Sequence, residues 1–349
     1  MRRTLFFLAV GVALGAVPAG AQDPHIRVVI TDVIRDAAKT ATPRAYQGRN
    51  RNNGPEETEK FSRKVKVGRD GRLSISNISG DIKVSGGSGD EVVIDAVKRT
   101  RGGASELAAA HIIVDERPGR VEVRTEYDSD RSRRYNNINV SVDYTVLVPA
   151  GATVDVKSIS GNVTVTGVQS VVHAETISGT LAASSTPKLT AKTVSGDVEL
   201  ISAPADADLA ATTISGNIRA KGLRIRTLDL GSVSGDVALS DIACDRLGVK
   251  SVSGSVEFVG TLGKGGRYEI NSHSGSVRLA LSGSTGFELN ANSFSGSIRS
   301  DFPVTLGGTN ARSDRGRPGP GHATHAVFGD GSATLNLRTF SGDIVLTKR

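Results

Sequence analysis

The sequence predicts an all-β fold, a single-stranded parallel β-helix or solenoid of about ten coils, and three observations predict it. The first is a recurring Ser-Gly pair. Its glycines are Gly80, Gly161, Gly179, Gly196, Gly216, Gly235, Gly254, Gly275, Gly296 and Gly342, separated by 81, 18, 17, 20, 19, 19, 21, 21 and 46 residues. From Gly161 to Gly296 the mean step is about 19 residues, the length of a solenoid coil. The second is a set of apolar columns at offsets minus seven, minus five, minus two, plus two and plus four from each glycine, as in Leu228, Leu230, Val233, Val237 and Leu239. The third is composition: 41 Gly, no Trp and 4% aromatic residues suit a thin interior filled by small aliphatic side chains. Right-handed winding is the favoured expectation.

A spacing of two is the strand period with one face buried. The step from minus five to minus two interrupts that alternation and predicts a bend or bulge. The Ser-Gly pair predicts a second corner, through the access of glycine to positive φ. Each unit therefore reads as two short strands joined by a corner. So thin a coil buries its inner face only by stacking on neighbours about 4.8 Å away. Equivalent residues then form ladders, with Val237, Val256 and Val277 expected over one another.

The chain has 349 residues and a formal charge of +7. Residues 1–21 read as a secretory signal: Arg2 and Arg3, an apolar run from Leu5 to Val17, and Ala19-Gly20-Ala21, with cleavage between Ala21 and Gln22. That run is short for a bilayer span and no later stretch could cross one, so no integral span is expected after cleavage. The single cysteine, Cys244, excludes an intramolecular disulfide. Residues 22–59 read as a polar linker, 60–150 as a β region that caps or begins the sheet, and 151–301 as regular coils. A Gly-, Pro- and Arg-rich excursion (302–332) and a closing coil (333–349) follow. The basic stretch from Arg44 to Arg72 is interleaved with acidic residues and lacks aromatics, which argues against nucleic-acid binding.

The early unit from Leu73 to Ile82, Val146-Leu147-Val148-Pro149 and the closing Thr339-Phe340-Ser341-Gly342-Asp343-Ile344 resemble the bacterial DUF4097 family of proposed adhesins. The resemblance covers roughly residues 60–349. It implies an exported β-solenoid without catalytic residues, and it carries no binding residues to transfer.

Candidate chemistry is sparse. Asp81, Asp197, Asp236 and Asp343 share the plus-one position, but Asn162, Thr180, Asn217, Ser255, Ser276 and Ser297 fill it elsewhere, so a turn preference explains the column. Gly86-Gly87-Ser88-Gly89-Asp90 has the look of a calcium nonapeptide but stands alone and reads as a loop. His322 and His325 lack companions for a metal set, and His273 in the minus-two column reads as a core or end-exposed histidine. The serines before the glycines recur in every unit, unlike an activated nucleophile. Arg278 and Arg299, in the plus-three column of neighbouring coils, form a candidate basic binding stripe for acidic polysaccharide or lipid head groups. The sequence thus points to an exported, non-enzymatic, adhesin-like surface or envelope scaffold, periplasmic or on the cell surface, with no catalytic residue, cofactor or metal. Its partner would be an envelope or matrix polysaccharide or protein. The alternative is a carbohydrate-active β-helix enzyme, which needs paired carboxylates on an outward groove.

Overall fold

The computed structural model describes residues 55–128, 139–303, 305–306 and 322–349. The cleavage pair Ala21 and Gln22 and the proposed linker up to residue 54 lie outside them. The first part holds β1 (Glu57–Lys66), β2 (Arg72–Ser79), β3 (Ile82–Gly87) and β4 (Glu91–Thr100). One helical turn, α1 (Ala104–Leu107), precedes β5 (Ala110–Arg117), β6 (Arg120–Tyr127) and β7 (Ser141–Pro149). The repeats supply β8 (Thr153–Ser160), β9 (Val163–Thr166), β10 (Val171–Ser178), β11 (Leu181–Ser184), β12 (Lys188–Ser195), β13 (Val198–Ile201) and β14 (Asp208–Ser215). Three long strands follow, β15 (Ile218–Ser234), β16 (Val237–Ser253) and β17 (Val256–Ser274), then β18 (Val277–Ser282), β19 (Phe287–Ser295) and β20 (Ile298–Ser300). The last are β21 (Thr305–Leu306), β22 (His322–Phe328), β23 (Ala333–Ser341) and β24 (Ile344–Lys348).

Successive units do stack in parallel. Val237 pairs with Val256 and Val256 with Val277, so these residues lie over one another in a single ladder. That ladder starts at Tyr144 and Ile82, runs through the plus-two residue of each unit, and ends at Ile344 and Ile298. Every aliphatic member except the terminal Ile298 is buried. Small branched side chains fit because a ladder places identical shapes one strand spacing apart.

A purely parallel open solenoid is nevertheless the wrong fold class. The strands form one mixed, barrel-shaped and nearly closed sheet. β1 and β7 each pair antiparallel with β4, β5 with β6, and β22 with both β19 and β21. The physical reason lies at the ends of the stack, where an open rung would expose a row of unpaired backbone groups. β1, β4, β5 and β22, which lack the Ser-Gly signature, pair antiparallel and cover those edges.

The order of rungs also departs from chain order. β2 and β3 lie between the rung of β6 and β7 and the rung of β8 and β9. Gly80 therefore neighbours Gly161 directly, its N–H donating to Ser160 O at 3.0 Å, although the two glycines are 81 residues apart in sequence. At the far end β23 and β24 lie between β17–β18 and β19–β20, so the last unit in sequence is the penultimate rung in space. Each end of the interior is plugged by aromatic residues. Tyr144 O–H meets Thr125 Oγ1 at 2.7 Å at one end, and Phe287, Phe302 and Phe328 pack with ring centroids 4.9–5.3 Å apart at the other.

The corner glycines set the geometry of every rung. At Gly235 φ is 137°, and a Cβ there would collide with the carbonyl oxygen of Gly216 in the rung before. Gly222, inside β15 with φ 65°, faces open space. We expect Gly235→Ala to cost at least about 2 kcal/mol by urea denaturation, because backbone strain and backbone collision add. Gly222→Ala should cost about 1 kcal/mol, the ordinary left-handed penalty. Equal losses at the two sites would refute the carbonyl collision as the reason for the glycine column.

Candidate functional site

The minus-two column is not core. Alternation continues unbroken from minus seven and minus five to minus three, where Asn77, Ser158, Thr176, Thr193, Thr213, Ser232, Ser251, Ser272, Thr339 and Ser293 are buried. At several rungs these small polar residues donate to a corner glycine carbonyl, whereas the hydroxyls of Ser158, Thr193 and Ser272 are buried without a partner. Ser232 Oγ donates to Gly235 O at 3.1 Å, Ser251 Oγ to Gly254 O at 3.3 Å and Ser293 Oγ to Gly342 O at 3.1 Å. With minus three inside, minus two must point outward.

The result is an apolar ridge along one outer corner of the sheet. In spatial order it comprises Ile78, Ile159, Ile177, Val194, Ile214, Val233, Val252, His273, Phe340 and Phe294. The early members are half-buried, each shielded by its ladder neighbours, whereas Val252, Phe340 and Phe294 are 46%, 49% and 42% exposed. His273 stacks on Phe340 with centroids 5.0 Å apart and planes 9° apart, and Phe340 on Phe294 at 4.7 Å and 5°. This stack exists only because the last unit is inserted between its two predecessors. His273, expected as a core or end-exposed histidine, is an exposed member of the ridge.

The family model described as Toastrack DUF4097 matches residues 71–347. The chain belongs to this family. A search of curated proteins finds no match. Among solved structures, a proposed adhesin of Bacteroides fragilis is similar at 12% identity, covering 82% of this chain and 97% of that one, with a TM-score of 0.43. A proposed lipid-binding protein of Parabacteroides distasonis shows 12% identity over 66% of this chain and 91% of its own, with a TM-score of 0.37. A proposed adhesin of the same organism shows 11% identity over 85% and 98%, with a TM-score of 0.30.

In this DUF4097 chain the plus-one column is structural. Asp81, Asn162, Asp197, Asn217, Asp236 and Asp343 each accept, through Oδ1, the backbone N–H of the plus-one residue one rung on, at 2.8–3.0 Å. The Asn217 N–H, together with Arg219, holds the Asp197 carboxyl below the usual aspartate range against the opposing effect of burial. The Ser297 N–H and hydroxyl do the same for Asp343, with more distant help from Arg299 and Arg278. Neighbouring carboxylates thus serve the backbone and do not converge as an acid and base pair.

The remaining sequence candidates scatter. Arg278 and Arg299 are not on neighbouring rungs, because both pair with Val345, which stands between them. His325 Nδ1 lies 2.8 Å from Asn290 Oδ1 and 3.7 Å from Glu288, and among the described residues no three His, Cys, Asp or Glu side chains gather as a metal site. The glycine-rich segment at 86–90 closes a turn in which the Asp90 carbonyl accepts the N–H groups of Val67 and Gly68. Cys244 is buried and its thiol is pushed up to about 12 by burial, which removes it from thiolate chemistry at neutral pH. A shallow, open hollow of about 260 Å³ on the sheet's outer face is lined by Lys188, Thr190, Asp208, Ala210 and Asp229 among others. Burial raises Asp229 there. No described helix is long and apolar enough to cross a membrane.

The ladder makes a pH prediction. Asp197 and Asp343 titrate lower in the folded chain than unfolded, so they add stability above the ordinary aspartate value near 3.9, and lose it as pH falls through their lower folded values. Asp197→Asn with Asp343→Asn keeps the acceptor oxygens and removes the charges. Urea midpoints should then fall less steeply between about pH 5 and pH 2 than in the parent chain. An unchanged acid slope would show that these carboxylates are not so coupled to folding.

Proposed function

We propose that this DUF4097 chain is an exported, non-enzymatic, adhesin-type protein of the bacterial envelope that acts by surface contact along the apolar corner. The exposed ridge carries this reading. Its broad end combines two exposed phenylalanines, a valine and a histidine in one continuous strip, and exposed apolar strips rimmed by polar residues mark contact surfaces. The plus-one carboxylates, the best enzymatic candidates, are already committed to backbone N–H groups. The basic N-terminus, short apolar run and Ala19-Gly20-Ala21 support export, and the names of similar solved proteins fit an adhesive role. Arg278 and Arg299 add positive charge on the flank of the ridge and would bias it toward acidic partners.

Two measurements test the reading. Intact mass of the protein recovered from the exporting cell should correspond to a chain that starts at Gln22, and an unprocessed N-terminus would overturn cleavage there. Retention of purified protein on cell-envelope fractions should drop about tenfold or more when Val252, Phe340 and Phe294 are all replaced by Ser, as expected when the anchors of a contact patch are removed. Unchanged retention, or products released from a panel of acidic and neutral glycans by the parent chain, would overturn surface contact as the function.

A further inference from the structure

We infer that the occupant of the ridge is a second copy of this chain, aligned side by side and parallel, with a two-fold axis running along the ridge. This deepens the surface-contact reading and rests on it. Two features of the molecule select this occupant and this orientation. The first is period. The ridge carries one side chain per rung over ten rungs, about 43 Å at the strand spacing, and a second copy matches that period along its whole length. Counted out to the flanking minus-four and plus-one columns, at most roughly 16 Å across because the chain bends at the corner, the strip offers up to about 700 Å² per partner, against the roughly 800 Å² of a standard stable interface.

The second is charge. On one side of the ridge the minus-four column presents Lys157, Lys192, Lys250 and Arg338, and on the other the plus-one column presents Asp81, Asp197, Asp236 and Asp343. A two-fold axis along the ridge lays the basic side of each copy against the acidic side of the other, with each aspartate on the same rung as a cation or one rung from it. One step further out the signs reverse on both sides in the same way, so that Arg278 of the plus-three column meets Glu269 of the minus-six column on its own rung. Glu175, Glu199 and Glu257 interrupt these columns, Glu175 by bridging Lys157 and Lys192 at 3.6 and 3.7 Å, and Arg219 remains on Asp197. The antiparallel arrangement instead sets Lys157 against Arg338 and Lys192 against Lys250. Repulsion of that kind disfavours the antiparallel orientation.

Sedimentation velocity of the purified chain from Gln22 onward tests this without any other partner. A dimer with a dissociation constant on the order of 10 µM or tighter is expected, weakened at high salt. Val252→Ser with Phe340→Ser and Phe294→Ser should yield a monomer with an unchanged circular dichroism spectrum. Arg278→Glu alone and Glu269→Arg alone should each weaken self-association about tenfold, since each places like charges at two symmetric points. Mixing the two variants should restore dimerisation, because every such contact then joins opposite charges. A monomeric parent chain, a dimer indifferent to the ridge substitutions, or a mixture no tighter than its components would overturn the proposal. Loss of envelope retention in the ridge variant alongside a monomeric parent chain would leave surface contact standing and remove only the second copy as its occupant.

Discussion

The stacking of one corner glycine on the carbonyl of the next is the constraint from which the rest of the structure follows. Gly235 sits so close to the Gly216 carbonyl that no side chain fits between, and its positive φ turns the chain through the corner at that depth. The carbonyl of each corner then needs a donor from within. A short Ser or Thr at minus three supplies it at several rungs, as Ser232 does for Gly235 itself, while Ser158, Thr193 and Ser272 keep buried hydroxyls without a partner. The plus-one side chain bonds the neighbouring rung, as Asp236 does to the Ser255 N–H at 2.8 Å, so consecutive corners are held both inside and outside the turn. One tight approach thus favours three classes of residue, at minus three, at the glycine and at plus one.

The same regularity creates a problem at each end, because a stack of identical parallel rungs has no natural last member. The chain answers it by placing its own first and last rungs one position inward and covering them with later or earlier segments. β2 is bracketed by β6 and β8, and β23 by β17 and β19. Antiparallel strands then cover the outermost edges, and large aromatics close the interior where the aliphatic ladder runs out, Tyr144 at one end and Phe287 with Phe302 and Phe328 at the other. The folded stack is therefore completed only after both chain ends have found an interior place, which gives this sheet more long-range dependence than a sequential stack would have.

Much of this was legible in the residues and some was not, for identifiable reasons. The vertical register of Val237, Val256 and Val277 followed from the repeat, because identical corners leave no freedom to slip. The antiparallel strands escaped because they carry no Ser-Gly pair: β4 and β22 read as generic strand or loop. The inserted last rung escaped because spacing along a chain reports sequence order and not spatial order, which also set Arg278 and Arg299 too close. The ridge was misassigned through the rule that apolar residues face inward. The counter-signal was present in the minus-three column, where Ser, Thr or Asn appears beside all ten glycines, as an inward-facing donor would require.

An outward ladder of β-branched residues has a simple structural use, since neighbours one strand spacing apart bury each other and tie adjacent rungs. That accounts for Ile159, Ile177 and Ile214, which are half-buried by their neighbours alone. It does not account for Phe340 and Phe294, which remain nearly half exposed after stacking and add apolar surface facing water. Cohesion between rungs would be served equally by the smaller side chains used elsewhere in the column. The growth of the side chains toward one end therefore answers to something outside the rung, and parallel rings stacked face to face present their edges as a narrow crest. Of the phenylalanine faces in the crest, only the outer one of Phe294, on the last rung, has no ring stacked on it. The crest favours a partner with an equally long and regular surface, and the exposed corner of this sheet is itself such a surface.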